Sequence, residues 1–136
     1  VNQKLCSYRI PPEAIGTPAQ STIAAVPIEL FRDEAFILMK PENDTRQRAD
    51  ALCASGGFRP KNAMEFDQQT TSYLVGCSGA GITFVSSILV SRLSPNPGTC
   101  YYRLKEPESI RYVQIFRKRG RYVTQAMKAF LETARG

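Results

Sequence analysis

The sequence predicts an α/β fold whose sheet is built from parallel strand–helix–strand units. Residues 35–40 and 82–85 are short, apolar and partly β-branched, the profile of strands buried on both faces. Candidate strands alternate with candidate helices from residue 35 onward, which is the pattern of β-α-β connections. Residues 70–86 show one such unit compactly. Thr70, Thr71 and Ser72 line a helix start that Asp67 can cap, Tyr73, Leu74 and Cys77 form an apolar face, Gly79 and Gly81 stop the helix, and a strand follows.

Residues 1–27 are the least regular part, because Pro11, Pro12, Pro18 and Pro27 remove backbone donors. A short strand within residues 5–10 and a strand or helical turn at 21–26 are expected there. Residues 27–33 read as a helical turn or loop, and residues 35–40 as a strand that Pro41 ends. Asn43, Asp44 and Thr45 form a cap cluster, with Gln47 in capping-box spacing from Asp44. The helix that follows turns Ala49, Leu52 and Cys53 to the core and ends at Gly56-Gly57. Residues 61–67 are the next strand, with Asn62, Met64 and Phe66 on one side. After the 70–86 unit come a short helix to Leu93 with Ser86 or Ser87 as its cap, a Pro/Gly loop at 94–98, and an aromatic strand at 99–104. Residues 112–117 alternate like a strand, and Lys118-Arg119-Gly120-Arg121 is a basic turn. Met127, Phe130, Leu131 and Ala134 then give the last helix an amphipathic stripe.

A chain of 136 residues suits one domain with a real core. No apolar run approaches the roughly 20 residues of a membrane span, and no signal-peptide pattern is present. The formal charge of +6 permits nucleic acid, anionic membranes or anionic small molecules as partners, though a solvated basic surface is the plainer explanation. Cys6, Cys53, Cys77 and Cys100 form no C-x-x-C pair, so no metal site is expected, and reduced thiols point to the cytoplasm.

The absence of histidine excludes Ser-His-Asp and Cys-His nucleophile systems. Gly76, Gly79 and Gly81 reverse the dinucleotide fingerprint and follow a helix instead of opening one, and no phosphate-loop G-K-[ST] occurs. Asp33, Glu34, Glu42 and Asp44 flank a strand and a cap, where ion pairing or capping accounts for them. No enzyme activity, catalytic residue or cofactor is expected. In open α/β sheets ligands bind beyond the carboxyl ends of strands, beside helix N-termini. The junctions 41–46 and 67–72 lie there, with Val85-Ser86-Ser87 as a third edge. The hydroxyls of Thr70, Thr71 and Ser72 are equally readable as plain helix-start residues.

Glu65-Phe66-Asp67-Gln68-Gln69-Thr70-Thr71-Ser72-Tyr73 leading into Gly79-Ala80-Gly81-Ile82-Thr83-Phe84-Val85 resembles the second lobe of the effector-binding domain of LysR-type transcriptional regulators. Gly56-Gly57-Phe58-Arg59-Pro60 fits the loop before it, and residues 111–131 resemble the family's last strand and helix; the likeness runs from Pro27 onward. The resemblance implies a type-2 periplasmic-binding-protein-like fold with one complete lobe at 36–110. Residues 1–35 would be a partial first lobe and crossover, and 111–136 the return strand and helix of that lobe. It implies sensing of a small-molecule effector, an anion by preference, in a cleft onto which Thr45, Thr70, Thr71 and Ser72 look, Ser72 matching a position where the family often has threonine. Asn43, Asp44 and Phe84 join them as further candidates. DNA would be bound only through an N-terminal winged helix-turn-helix that this fragment lacks, so Arg117, Lys118, Arg119 and Arg121 read as a solvated turn. Self-association through Val113 and Phe130 is expected, with a fold-back of the N-terminal segment over them as the alternative. A solute-binding receptor on the same fold remains the other reading.

Overall fold

The structure is a computed structural model that describes residues 3–112, 114, 116, 119, 120 and 122–135. The N-terminal part is a succession of 3-10 turns, Gln3–Tyr8, Pro12–Ala14, Pro18–Thr22 and Ile28–Phe31, interrupted by the two-residue strand β1 (Arg9–Ile10). The expected strand at 5–10 is therefore mostly a 3-10 turn, and the 21–26 segment contributes only an isolated bridge from Val26 to Leu104. Prolines at or next to the starts of the middle turns fix the backbone there without leaving a helix to propagate.

From residue 35 the alternation expected from sequence appears. The elements are β2 (Ala35–Met39), α1 (Asp44–Ser55), β3 (Lys61–Phe66), α2 (Gln69–Cys77), β4 (Ile82–Thr83), α3 (Ser87–Leu93), β5 (Tyr101–Tyr102) and α4 (Gln125–Arg135). Among the described residues these make a mixed α/β architecture with four α-helices, a three-stranded sheet and a two-stranded one. The larger sheet is parallel and ordered β3-β2-β4; the smaller pairs β1 with β5 antiparallel. The crossovers β2-α1-β3 and β3-α2-β4 run in opposite directions across the sheet. Right-handed connections then place α1 and α2 on opposite faces.

That arrangement explains why Phe36, Ile37, Leu38 and Met39 are all buried. Phe36 and Leu38 join Ala49 and Cys53 of α1 and Val26, Ile28 and Phe31 of the N-terminal turns in one core cluster. Tyr73 of α2, Val90 of α3, Tyr101 of β5 and Ile10 of β1 form a second. Arg46 ties α1 to the sheet, donating from Nη1 to Glu65 Oε1 at 2.6 Å and to the Met39 carbonyl at 3.0 Å. The Arg46 guanidinium holds the Glu65 carboxyl below the usual carboxylate range.

Several local expectations change. Leu74 is 59% exposed, so the apolar face of α2 is narrower than its sequence pattern, and Tyr73 carries the packing. β4 covers Ile82 and Thr83 only. Gly81 is not a left-handed stop: a Cβ there would lie 2.6 Å from the Ala35 carbonyl oxygen, so glycine is needed for the close approach of α2's exit to β2. Gly79, at φ +87°, is the left-handed residue after the helix. Asn62 and Met64 of β3 are exposed, leaving that strand a solvent edge. In the strand expected at 112–117, Val113, Ile115 and Arg117 lie outside the described residues, as do Lys118 and Arg121 of the basic turn. Tyr112, Gln114 and Phe116 are exposed and outside any strand. The stripe of α4 also faces solvent, with Phe130 63% exposed.

Two outcomes test this packing. Gly81→Ala should destabilise the fold by about 1–3 kcal/mol in urea unfolding, because the added methyl meets backbone instead of a side chain that can move. Burial raises the Cys53 thiol to about 11, so it stays protonated at pH 8. It should resist a thiol reagent in the native chain while exposed Cys6 reacts.

Candidate functional site

The first junction expected to meet a ligand is the start of α1. Asn43 is the helix cap, its Oδ1 accepting from the Thr45 amide at 2.8 Å, so the capping box based on Asp44 does not form. Asp44 occupies the first helical position, where its charge suits the helix dipole. One of its oxygens accepts from Arg48 Nε and from Arg111 Nη2, both at 3.0 Å. Thr45, half-buried, turns inward.

The second junction divides its hydroxyls. Gln68 holds the cap position of α2 without a side-chain bond, and Asp67, expected to cap, pairs instead with Lys40 at 2.9 Å. That bond raises the Lys40 ammonium above its ordinary range. Thr70 and Thr71 are exposed. Ser72 is 1% exposed and its Oγ lies 2.6 Å from Thr83 Oγ1, so it does not look outward. Successive helical residues differ by about 100° around the axis, which puts Thr71 in solvent and Ser72 against β4.

A cavity of about 420 Å³ lies along β4, the edge strand where both faces of the sheet become accessible. Thr45, Arg48, Ala49 and Leu52 of α1 reach it on one side and Gln69, Tyr73, Gly76 and Cys77 of α2 on the other. Phe84 and the segment 99–104 close it. Phe36 and Phe84 stack with centroids 5.8 Å apart and line it together. Tyr73 and Tyr101 join their hydroxyls at 2.8 Å, and the Tyr101 oxygen also accepts from the Asn96 amide at 2.8 Å. Burial, and then the bond to Tyr101, pushes the Tyr73 phenol up. Burial does the same to Tyr102, which rises to about 12, with Cys100 beside it contributing.

The polar groups of this wall are unevenly satisfied. Arg103 donates from Nη2 to the Ile23 carbonyl at 2.6 Å, while its Nε is buried without a partner. Thr99 Oγ1 is likewise buried and unpaired. Unpaired buried donors and acceptors are costly to the fold. Glu108 is the one carboxylate among the lining residues, alongside the three arginines Arg48, Arg103 and Arg111.

Of the seven residues expected at a ligand site, the cavity brings together Thr45 and Phe84. Asn43, Asp44, Thr70, Thr71 and Ser72 are not in its wall. Sequence reasoning passed over Tyr73, Thr99 and Arg103. The legible signal was Arg103 itself, a lone cation in the otherwise uncharged aromatic run of residues 99–104. Among the described residues no cluster of three or more Cys, Asp or Glu is placed to hold a metal, and no helix is long and apolar enough to cross a membrane.

The family model described as LysR substrate binding domain matches residues 17–136. An uncharacterized HTH-type transcriptional regulator of Bacillus subtilis (strain 168), YcgK, is 32% identical over 110 residues, which are 81% of this chain and 33% of that protein. The chain therefore spans about a third of the length of that relative. No solved structure matches the chain.

The division of the α2 hydroxyls has a measurable consequence. Ser72→Ala strands the Thr83 hydroxyl in a part-buried place and should cost about 1 kcal/mol in urea unfolding. Thr71→Ala, on the solvent side, should stay within about 0.5 kcal/mol of the wild-type chain.

Proposed function

Because the chain belongs to the LysR substrate-binding domain family, we propose that it is the small-molecule-sensing part of a transcriptional regulator, with its effector held in the cavity along β4. The carrying observation is that Thr45 and Phe84 share the wall of one cavity whose lining also includes Thr99 and Arg103. Its volume is within the usual range for small-molecule sites, and its walls are largely aromatic and aliphatic with a few polar groups, as such sites require. The effector is an anion. Three arginines line the cavity; Asp44 answers two of them and Glu108 is the one carboxylate among the lining residues.

On this reading residues 36–110 are the complete second lobe of a type-2 periplasmic-binding-protein-like domain. Residues 1–35 are the partial first lobe and crossover, and 111–136 return to that lobe. The protein works in the cytoplasm. DNA contact belongs to a helix-turn-helix outside this chain, in keeping with the name of the Bacillus relative. That name also favours the regulator over the solute receptor. Effector binding shifts the balance between lobe arrangements, and that shift is what the DNA-binding part feels. The exposed Met127 and Phe130 of α4 meet a second copy of the chain, since an apolar stripe left in water favours association.

A thermal-unfolding screen of the chain against small organic anions tests the proposal. A true effector at about 100 times its dissociation constant adds roughly 2.7 kcal/mol of stability, enough to raise the midpoint by several degrees. Thr45→Val, which keeps shape and removes the hydroxyl, should shrink that rise. A library in which nothing moves the midpoint sinks the assignment. Sedimentation equilibrium over a range of concentrations checks self-association, and a monomer throughout excludes it.

A further inference from the structure

We propose that residues 94–99, the connection from α3 to β5, are a hinged clasp that turns about Ser94, is latched by the Tyr101 hydroxyl, and on opening uncovers the cavity wall at Thr99 and Cys100. This motion belongs to the wall itself and goes beyond the reading of the cavity as a ligand seat.

The hinge is a strained residue. α3 ends at Leu93, and Ser94 after it has φ +64° and ψ +125°. Helix ends use left-handed residues routinely, but those are glycine or asparagine with ψ near about +47°. A serine this far from that region is strained and keeps its conformation only while something downstream fixes the loop. The loop itself is stiff. Pro95 and Pro97 flank Asn96, whose Oδ1 accepts from the Gly98 amide at 2.9 Å and whose carbonyl accepts from the Thr99 amide at 3.1 Å. Rotation is therefore concentrated at Ser94.

The latch is a single bond. Prolines at 95 and 97 leave the Asn96 amide as the one donor of that stretch, and it donates to Tyr101 Oη at 2.8 Å. Among the described residues this is the one hydrogen bond from residues 94–99 to the rest of the chain. Tyr101 is fixed in turn. Its ring is buried with Ile10, Tyr73 and Val90, and its hydroxyl meets that of Tyr73 on α2 at 2.8 Å.

The closed clasp has a second cost, because Thr99 Oγ1 is buried in it without a partner. Opening hydrates that hydroxyl and relaxes Ser94. Against this stand the Asn96 bond and the packing of half-buried Pro95 and Cys100. Opposed terms of similar size leave two arrangements close in free energy, the condition for a segment that opens locally. The clasp connects two stretches of the cavity lining, 85–88 and 99–104, so its opening changes the shape of the wall between them.

Amide hydrogen exchange of the chain, followed residue by residue by NMR, tests this. The Asn96 amide is the reporter, because Pro95 and Asn96, which set its intrinsic rate, are kept in every variant. The buried β2 amides of residues 36–39 report global unfolding, and all changes are read relative to them. In the wild-type chain Asn96 should exchange at least about tenfold faster than β2, through local opening. Tyr101→Phe removes the latch oxygen and should speed Asn96 exchange about tenfold. Ser94→Gly relaxes the hinge in the closed state and should slow it about fivefold. Thr99→Val keeps the shape, removes the unpaired hydroxyl and should also slow it. Labelling of the Cys100 thiol by iodoacetamide, read by peptide mass spectrometry, should rise and fall with the same variants. Asn96 protection equal to that of β2 overturns the proposal, since the loop then opens only with the whole fold. An unchanged rate in folded Tyr101→Phe, or no slowing in Ser94→Gly or Thr99→Val, overturns it as well. Cys100 labelling that ignores these changes does the same, because the moving loop then uncovers no wall. Should Tyr101→Phe fail to fold, Ser94→Gly and Thr99→Val decide.

Discussion

Four consecutive residues of β2, Phe36 to Met39, are withdrawn from water on both faces of the sheet. A strand in that position must be paired on both edges and covered on both faces, and the rest of the chain is arranged to do so. β3 pairs along its whole length on one side. β4 pairs on the other side, but only opposite Phe36 and Ile37. The flank of Leu38 and Met39 on the β4 side is left to residues that are not in the sheet. Phe84 follows β4 and stacks on Phe36. Phe36 is the β2 residue in the cavity lining, which continues from Ile82 through Phe84 to the wrapping segment 99–104.

The wrapping segment is held by backbone bonds to the N-terminal turns. The Val26 amide donates to the Arg103 carbonyl at 2.8 Å, and the Lys105 amide to the Val26 carbonyl at 3.0 Å. Glu106 Oε1 accepts from the Ile28 amide at 2.9 Å. Each of these contacts joins residues almost eighty positions apart, so the irregular N-terminal part acts as an outer wall of the same unit. Val26, fully buried, is the apolar centre of that seam. The seam also restrains Arg103, whose backbone and side chain both bond to residues 23–26.

The sequence was most legible where a local rule decides the outcome. The strand at 35–39, α1 from Asp44 to Ser55, β3 and the Ser86-capped α3 follow from apolar runs, caps and glycine stops, and each lies within a residue or two of its expected limits. The N-terminal turns were harder, because proline spacing says where helices and sheets stop and not what replaces them. Of the candidate site, Thr45 and Phe84 were reachable because strand ends and helix starts are where α/β sheets open. Arg103 was visible as the lone cation of the run 99–104, but its bond to the Ile23 carbonyl is set by a contact 80 positions away in the chain.

Ser72 shows how a local reading fails and what the residue does instead. Three hydroxyls at a helix start look alike in sequence, yet about 100° of rotation per residue lets only some of them face the same way. Thr70 and Thr71 take the solvent side, and Ser72 faces Thr83, the second residue of β4. A 2.6 Å bond in a part-buried place fixes the side chain of Thr83 and with it the end of the edge strand. Phe84 is the next residue, and it lines the cavity. Ser72 therefore bears on the cavity through the strand it anchors, setting the position of the wall without touching what the wall holds.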